Sequence, residues 1–112
     1  ACHDHWVLYG GERHVGLTVC GDRFVDDADV VRRWAVACMG IAYKSWLDVS
    51  TDVLAGRLRL ILPELQGERT PLNLLCAHRA QLSKPINLLR DMLVSRCATL
   101  TAQRPGRMAS RQ

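Results

Sequence analysis

The chain has 112 residues, 48% of them hydrophobic and 23% charged, which suits one compact soluble domain with a modest core. Its net charge of +4 is mostly a tail effect: RPGRMASRQ at the end carries Arg104, Arg107 and Arg111 without an acid, and residues 1–103 hold 12 basic against 11 acidic groups. No basic stripe interleaved with aromatics marks a nucleic-acid surface, no run of about 18 apolar residues spans a membrane, and ACHDHWVLYG lacks the basic and apolar blocks of a signal peptide.

HWVLY at 5–9 is short, apolar and closed by Gly10 and Gly11, the pattern of a buried strand. VGLTVC at 15–20 is β-branched and ends on Gly21, a second strand. From Asp29 the period changes, with Val31, Trp34, Ala35 and Cys38 recurring at three- and four-residue spacing, which predicts an amphipathic helix. Asp26 or Asp27 caps it, because a short carboxylate accepts the orphan N–H groups of the first turn and favours the positive end of the helix dipole. Gly40 is the predicted terminator, since glycine takes a left-handed turn without steric cost. A strand over 41–44, a helix over 48–55 stopped by Gly56, and a strand LRLIL at 58–62 ended by Pro63 come next. ELQGERT at 64–70 is a polar connector, and PLNLLCA at 71–77 is a near-continuous apolar strand. Ser83 opens a last helix with Pro85 in its first turn, where the missing N–H costs nothing, and with Ile86, Leu89, Leu93 and Cys97 on its inner face. Strands alternate with helices, so the expectation is an α/β fold with a largely parallel sheet covered by helices.

Catalytic signatures are missing: there is no GxSxG, phosphate-cradling glycine loop, HExxH or CxxC. His14 and His78 have no acid partner that the sequence identifies, and the adjacent Asp26 and Asp27 suit helix caps better than an acid–base pair. The expectation is a binding protein and not an enzyme. Five cysteines, at 2, 20, 38, 76 and 97, lack the paired spacing of a zinc site and read as reduced thiols of a cytoplasmic protein. Cys2, His3 and His5 form a local cluster, and a metal-binding module built on them is one reading. It needs further ligands, and the plainer reading is polar residues where a strand begins. No metal or cofactor is therefore expected. In open α/β sheets, ligands gather beyond the carboxyl ends of strands and near helix N-termini.

LTVCGDRFVDDADVVRRWAVACMGIA at 17–42, followed by DVLAGRLRLILPEL at 52–65, resembles the effector-binding domain of LysR-type transcriptional regulators. The likeness lies in an ordered series over residues 5–98: Gly21, the pair Asp26 and Asp27 opening a small-residue helix, Gly-Ile-Ala at 40–42, Gly-Arg-Leu at 56–58, Pro63, Pro71, and Leu-Ser-Lys-Pro at 82–85 before the final helix. Two departures stand out. Cys38 occupies a place where the family usually has glycine, and Tyr43, Lys44 and Ser45 replace a common Leu-Leu-Pro turn, although some members carry the Lys-Ser form.

The resemblance covers about the last half of such an effector domain, without the winged helix-turn-helix that opens these regulators. It implies Rossmann-like lobes of the periplasmic-binding-protein type (type 2), incomplete here, with a small-molecule effector in the cleft between them. Residues 1–64 are then the later part of the second lobe, 65–103 a return to the first, 104–112 a disordered basic tail, and the polar stretch 64–71 the crossover hinge. The implied effector contacts are Cys20, Asp26, Asp27, Tyr43, Lys44 and Ser45. The start of the helix opened by Asp26 and Asp27 and the end of the 41–44 strand are implied to face the same cleft. Helix-start N–H groups together with the charge of Lys44 then make a small carboxylate the natural guest, provided that Asp26 and Asp27 cap their helix and point away. The implied partners are further copies of the chain in a homo-oligomer and DNA, the latter only through the absent helix-turn-helix, with no membrane. A lobe of a solute-binding transport protein is the alternative.

Overall fold

Two strands separated by two residues can only pair antiparallel, because a parallel return needs a crossover of a dozen residues or more. The computed structural model, which describes residues 4–78 and 83–105, has that hairpin: β1 (His5–Gly10) pairs with β2 (Arg13–Thr18) in a register running from His5 opposite Thr18 to Gly10 opposite Arg13. Gly11 supplies the turn with φ 61°, the positive value that two-residue hairpin loops demand. Val19 N–H donates to the Asp4 carbonyl at 2.7 Å and extends the ladder by one bond. On the other edge of β1, Tyr9 and Gln66 exchange two backbone hydrogen bonds of 2.7 Å, so the segment after Pro63 lies antiparallel beside the hairpin.

Three helices follow: α1 (Ala28–Val36), α2 (Trp46–Leu54) and α3 (Lys84–Ala102). Asp27 is the cap of α1, its Oδ1 accepting from Asp29 N–H at 2.8 Å and Val30 N–H at 3.4 Å, as the sequence predicted for one of the two aspartates. Helix α1 closes at Cys38 (φ 60°) and not at Gly40: Cys38 N–H bonds the Ala35 carbonyl and Met39 N–H the Trp34 carbonyl, both at 3.0 Å. The same pair of bonds ends α2, from Gly56 to Val53 and from Arg57 to Asp52, around Gly56 at φ 79°. Ser83 stands at the N-cap of α3 with Pro85 in the first turn, and Leu82 lies outside the described residues.

The expected largely parallel sheet is not formed among the described residues. The only sheet there is the antiparallel hairpin, and residues 41–44, 58–62 and 71–77 run without ladder partners. An apolar run becomes a strand only when a neighbour accepts its N–H and C=O groups, and Pro63 and Pro71 cannot donate to a ladder. The molecule is mixed α and β, but its apolar groups are poorly covered. No described hydrophobic side chain is fully buried; the buried residues are Ser50, 1% exposed, and Asp52, 4% exposed. Helix α3 shields Ile86 and Cys97 by half and leaves Leu89 and Leu93 exposed.

Helix α3 and the residues after it are tied back to the rest of the chain by two side chains. Trp46 Nε1–H donates to the Leu100 carbonyl, joining the start of α2 to the last turn of α3. Arg104, placed by the sequence at the head of a loose tail, is half-buried and donates from Nη2 to the Leu65 carbonyl at 3.4 Å. Residues 106–112 of that tail lie outside the described residues, as do Cys2 and His3 of the cluster that one reading takes as a metal-binding module; His5, its third member, opens β1 with an exposed side chain. Among the described residues no helix is long and apolar enough to cross a membrane.

Candidate functional site

Lys44 and Ser45 lie on the short extended segment between Gly40 and α2, and their chemistry follows from that helix. Ser45 is the N-cap of α2 with extended backbone (φ −60°, ψ 141°), yet its hydroxyl makes no capping bond, in contrast to Asp27 at α1. The first-turn amides of α2 thus lack the side-chain acceptor that Ser45 is placed to provide, and helix starts of that kind favour anions. Lys44 lies over the same turn. Its side chain is 10% exposed and its Nζ pairs with Asp48 Oδ2 at 3.0 Å, while Asp48 is more than half exposed. A buried cationic stem beside a helix start is unfavourable with the dipole, and Asp48 offsets that cost.

Tyr43 precedes them and is engaged on two sides. Its ring stacks on Trp6 of β1 with centroids 5.4 Å apart and planes 24° from parallel. Its hydroxyl accepts from Glu68 N–H at 3.0 Å and donates over 3.5 Å to the Val7 carbonyl. Gly67 is the residue against which the ring tip lies: a Cβ there would fall on the Tyr43 hydroxyl.

The other predicted residues stand apart from this trio. Cys20 is exposed just beyond β2, Asp26 is exposed before the α1 cap, and Asp27 is committed to capping. Among the described residues, no hydrogen bond or ion pair joins Cys20, Asp26 or Asp27 to Tyr43, Lys44 or Ser45. An open depression of ≈ 620 Å³ lies nearby, lined by Tyr9, Gly11, Glu64, Gln66, Gly67, Glu68 and Arg69. It is formed largely by residues 64–69 and includes none of the six predicted contacts.

One cluster escaped the sequence reading altogether. Asp52, on α2, receives Arg57 Nε at 2.7 Å on Oδ1 and an Arg32 guanidinium nitrogen at 2.8 Å on Oδ2. Arg32 also reaches Asp29 at 2.9 Å, and Asp29 holds Arg33 at 2.8 Å. The hydrogen bond from Arg57, then that from Arg32, holds the Asp52 carboxyl below the usual carboxylate range. Asp29 is lowered chiefly by its bond to Arg32, and Arg32 is raised further, first by Asp52. No spacing rule pairs side chains 20 residues apart, so only the packing of α1 on α2 reveals this network. Cys20, Cys38, Cys76 and Cys97 are free thiols.

Comparison with known proteins adds two findings. Residues 1–98 match the family described as the LysR substrate binding domain. Over 59 residues the chain is 34% identical to the HTH-type transcriptional regulator DmlR of Escherichia coli (strain K12), a match that takes in 53% of this chain and 19% of that protein. The chain therefore spans about a fifth of the length of the curated relative it matches. No solved structure matches it significantly.

Proposed function

From the premise that the chain belongs to the LysR substrate binding domain family, we propose that it is the effector-sensing part of a DNA-binding transcriptional regulator. The observation that carries this reading is the family match along residues 1–98, joined by the regulator that shares 34% identity over 59 residues. Both support a sensing role in transcription regulation. Neither favours the lobe of a solute-binding transport protein.

In the proposed regulator the family's periplasmic-binding-protein-like fold is completed by chain beyond these residues. Residues 1–64 belong to one Rossmann-like lobe, 65–103 return to the other, and 64–71 form the crossover. A small molecule bound between lobes biases their closure only if it contacts both better when closed, and a homo-oligomer in the cytoplasm transmits that bias to helix-turn-helix heads on DNA. We place the effector at the start of α2. Lys44 and Ser45 are its main contacts, Tyr43 forms a wall, and Cys20, Asp26 and Asp27 stand at the α1 side. Support comes from the unused Ser45 hydroxyl and from the lysine charge beside the first turn of α2. Asp27 is spent on its own helix, which removes one of the acids that would repel an anion. A small carboxylate fits this chemistry, taking over the partnership of Lys44 from Asp48 and accepting from the α2 amides.

The test is Lys44→Met in the intact regulator, which keeps the apolar stem and deletes the charge. Transcription from a reporter is followed against a graded panel of small mono- and dicarboxylates. Loss of a charge-assisted bond of about 1.5–3 kcal/mol raises the half-maximal effector concentration about 10- to 100-fold. A dose-response curve that does not move, with the protein folded, would remove the anionic effector from consideration.

A further inference from the structure

We infer that Tyr43 is a latch that ties the loop carrying Lys44 and Ser45 to the crossover segment at 66–68, so that a displacement of either is passed to the other through the tyrosine hydroxyl. The residue stands where three pieces of chain meet. Its ring lies on Trp6 of β1, its oxygen receives Glu68 N–H at 3.0 Å, and its proton faces the Val7 carbonyl at 3.5 Å. The crossover is in turn fastened to β1 two residues earlier, by the paired bonds of Tyr9 and Gln66. Between these two attachments sits Gly67, which has no room for a side chain while the tyrosine hydroxyl is in place.

A phenyl ring alone would serve the stack on Trp6. What only the hydroxyl contributes is a bond to the backbone of the crossover, and that bond originates from the residue next to Lys44. Any movement that pulls Lys44 and Ser45 toward a guest therefore loads the Tyr43 to Glu68 contact before it loads the rest of the segment. In its functional meaning the inference rests on the proposed effector site, whereas the mechanical link rests on the contacts above.

The test uses residue-resolved amide hydrogen exchange on the full chain and needs no effector. Tyr43→Phe keeps the ring and removes the oxygen, and the Glu68 amide is expected to exchange about fivefold faster or more, the factor given by losing a hydrogen bond of ordinary strength. The Val19 amide, bonded to Asp4 away from the latch, is expected to keep its rate. Gly67→Ala, which displaces the hydroxyl from the other side, is expected to reproduce the effect at Glu68 and to alter the fluorescence of Trp6. Lys44→Met is expected to shift Glu68 exchange at least threefold when Tyr43 is present and to leave it unchanged in the Tyr43→Phe background. An unchanged Glu68 rate in Tyr43→Phe overturns the latch. So does equal acceleration at Val19, which would make Tyr43 a general packing residue, and so does a Lys44→Met effect of the same size in both backgrounds. An unmoved reporter curve for Lys44→Met would remove the effector site and leave these exchange results, and hence the latch, standing.

Discussion

Cys38 performs at the end of α1 what Gly56 performs at the end of α2. Both sit one residue past the C-cap, both have positive φ (60° and 79°), and both are followed by the long bond back to the third residue from the helix end. Glycine takes that conformation freely, whereas a residue with a Cβ is strained by about 1–2 kcal/mol. Cys38→Gly is therefore expected to stabilise the chain by about 1 kcal/mol, seen as a higher urea midpoint with an unchanged slope; a lower midpoint would contradict the cap geometry. At this scale the sequence was legible where one side chain suffices, as with Asp27 capping α1. It misled at Gly40, because a glycine two residues downstream offers the same local signal as the true terminator. The glycine usual in the resembled family marks position 38 as the left-handed one. Lys44 and Ser45 were singled out at the end of an expected strand, but their present partners were not legible, since the Asp48 pair and the idle Ser45 hydroxyl depend on where α2 begins.

Between elements, the contact of α1 with α2 runs through charge. Asp52 is the most enclosed ionised group described, and Arg32 of α1 and Arg57, just past the end of α2, meet on it. Its carboxyl titrates below its unfolded value, so the stabilisation is present at and above about pH 4, where the unfolded aspartate is ionised, and is lost as pH falls through the lowered native value. The melting temperature is expected to drop as pH falls below about 4. Asp52→Asn should lower it already at neutral pH and flatten that acid limb; a mutant curve parallel to wild type would show that Asp52 does not link the helices. Element types were read well for α1 and α3, which announce themselves by period and caps. The strands at 41–44, 58–62 and 71–77 were not, because a continuous apolar run states a wish for burial and cannot name the neighbour that satisfies it. The short gap at 10–14 between the first two expected strands did carry the antiparallel answer, because it is too short for a parallel crossover.

Across the whole molecule, the Cα radius of gyration is 16.8 Å, against about 13 Å for a close-packed domain of this length. Phe24, Leu72, Leu75 and Val94 are each exposed by more than 60%. A surface of that kind, together with the edge of β2 that has no partner among the described residues, invites association. Sedimentation is expected to give a weight-average mass that rises with concentration toward dimers and larger species. A single monomeric boundary up to high concentration would oppose it. Lobes were an expectation from family likeness alone, because half-covered elements cannot define a core by themselves. The Trp46 bond to Leu100 has a temporal counterpart. It closes a separation of 54 residues, and loop closure of that span is entropically costly, so it follows the hairpin and the helices, whose contacts are local. The local contacts of the hairpin and the helix turns are thus expected to precede the docking of α2 on α3.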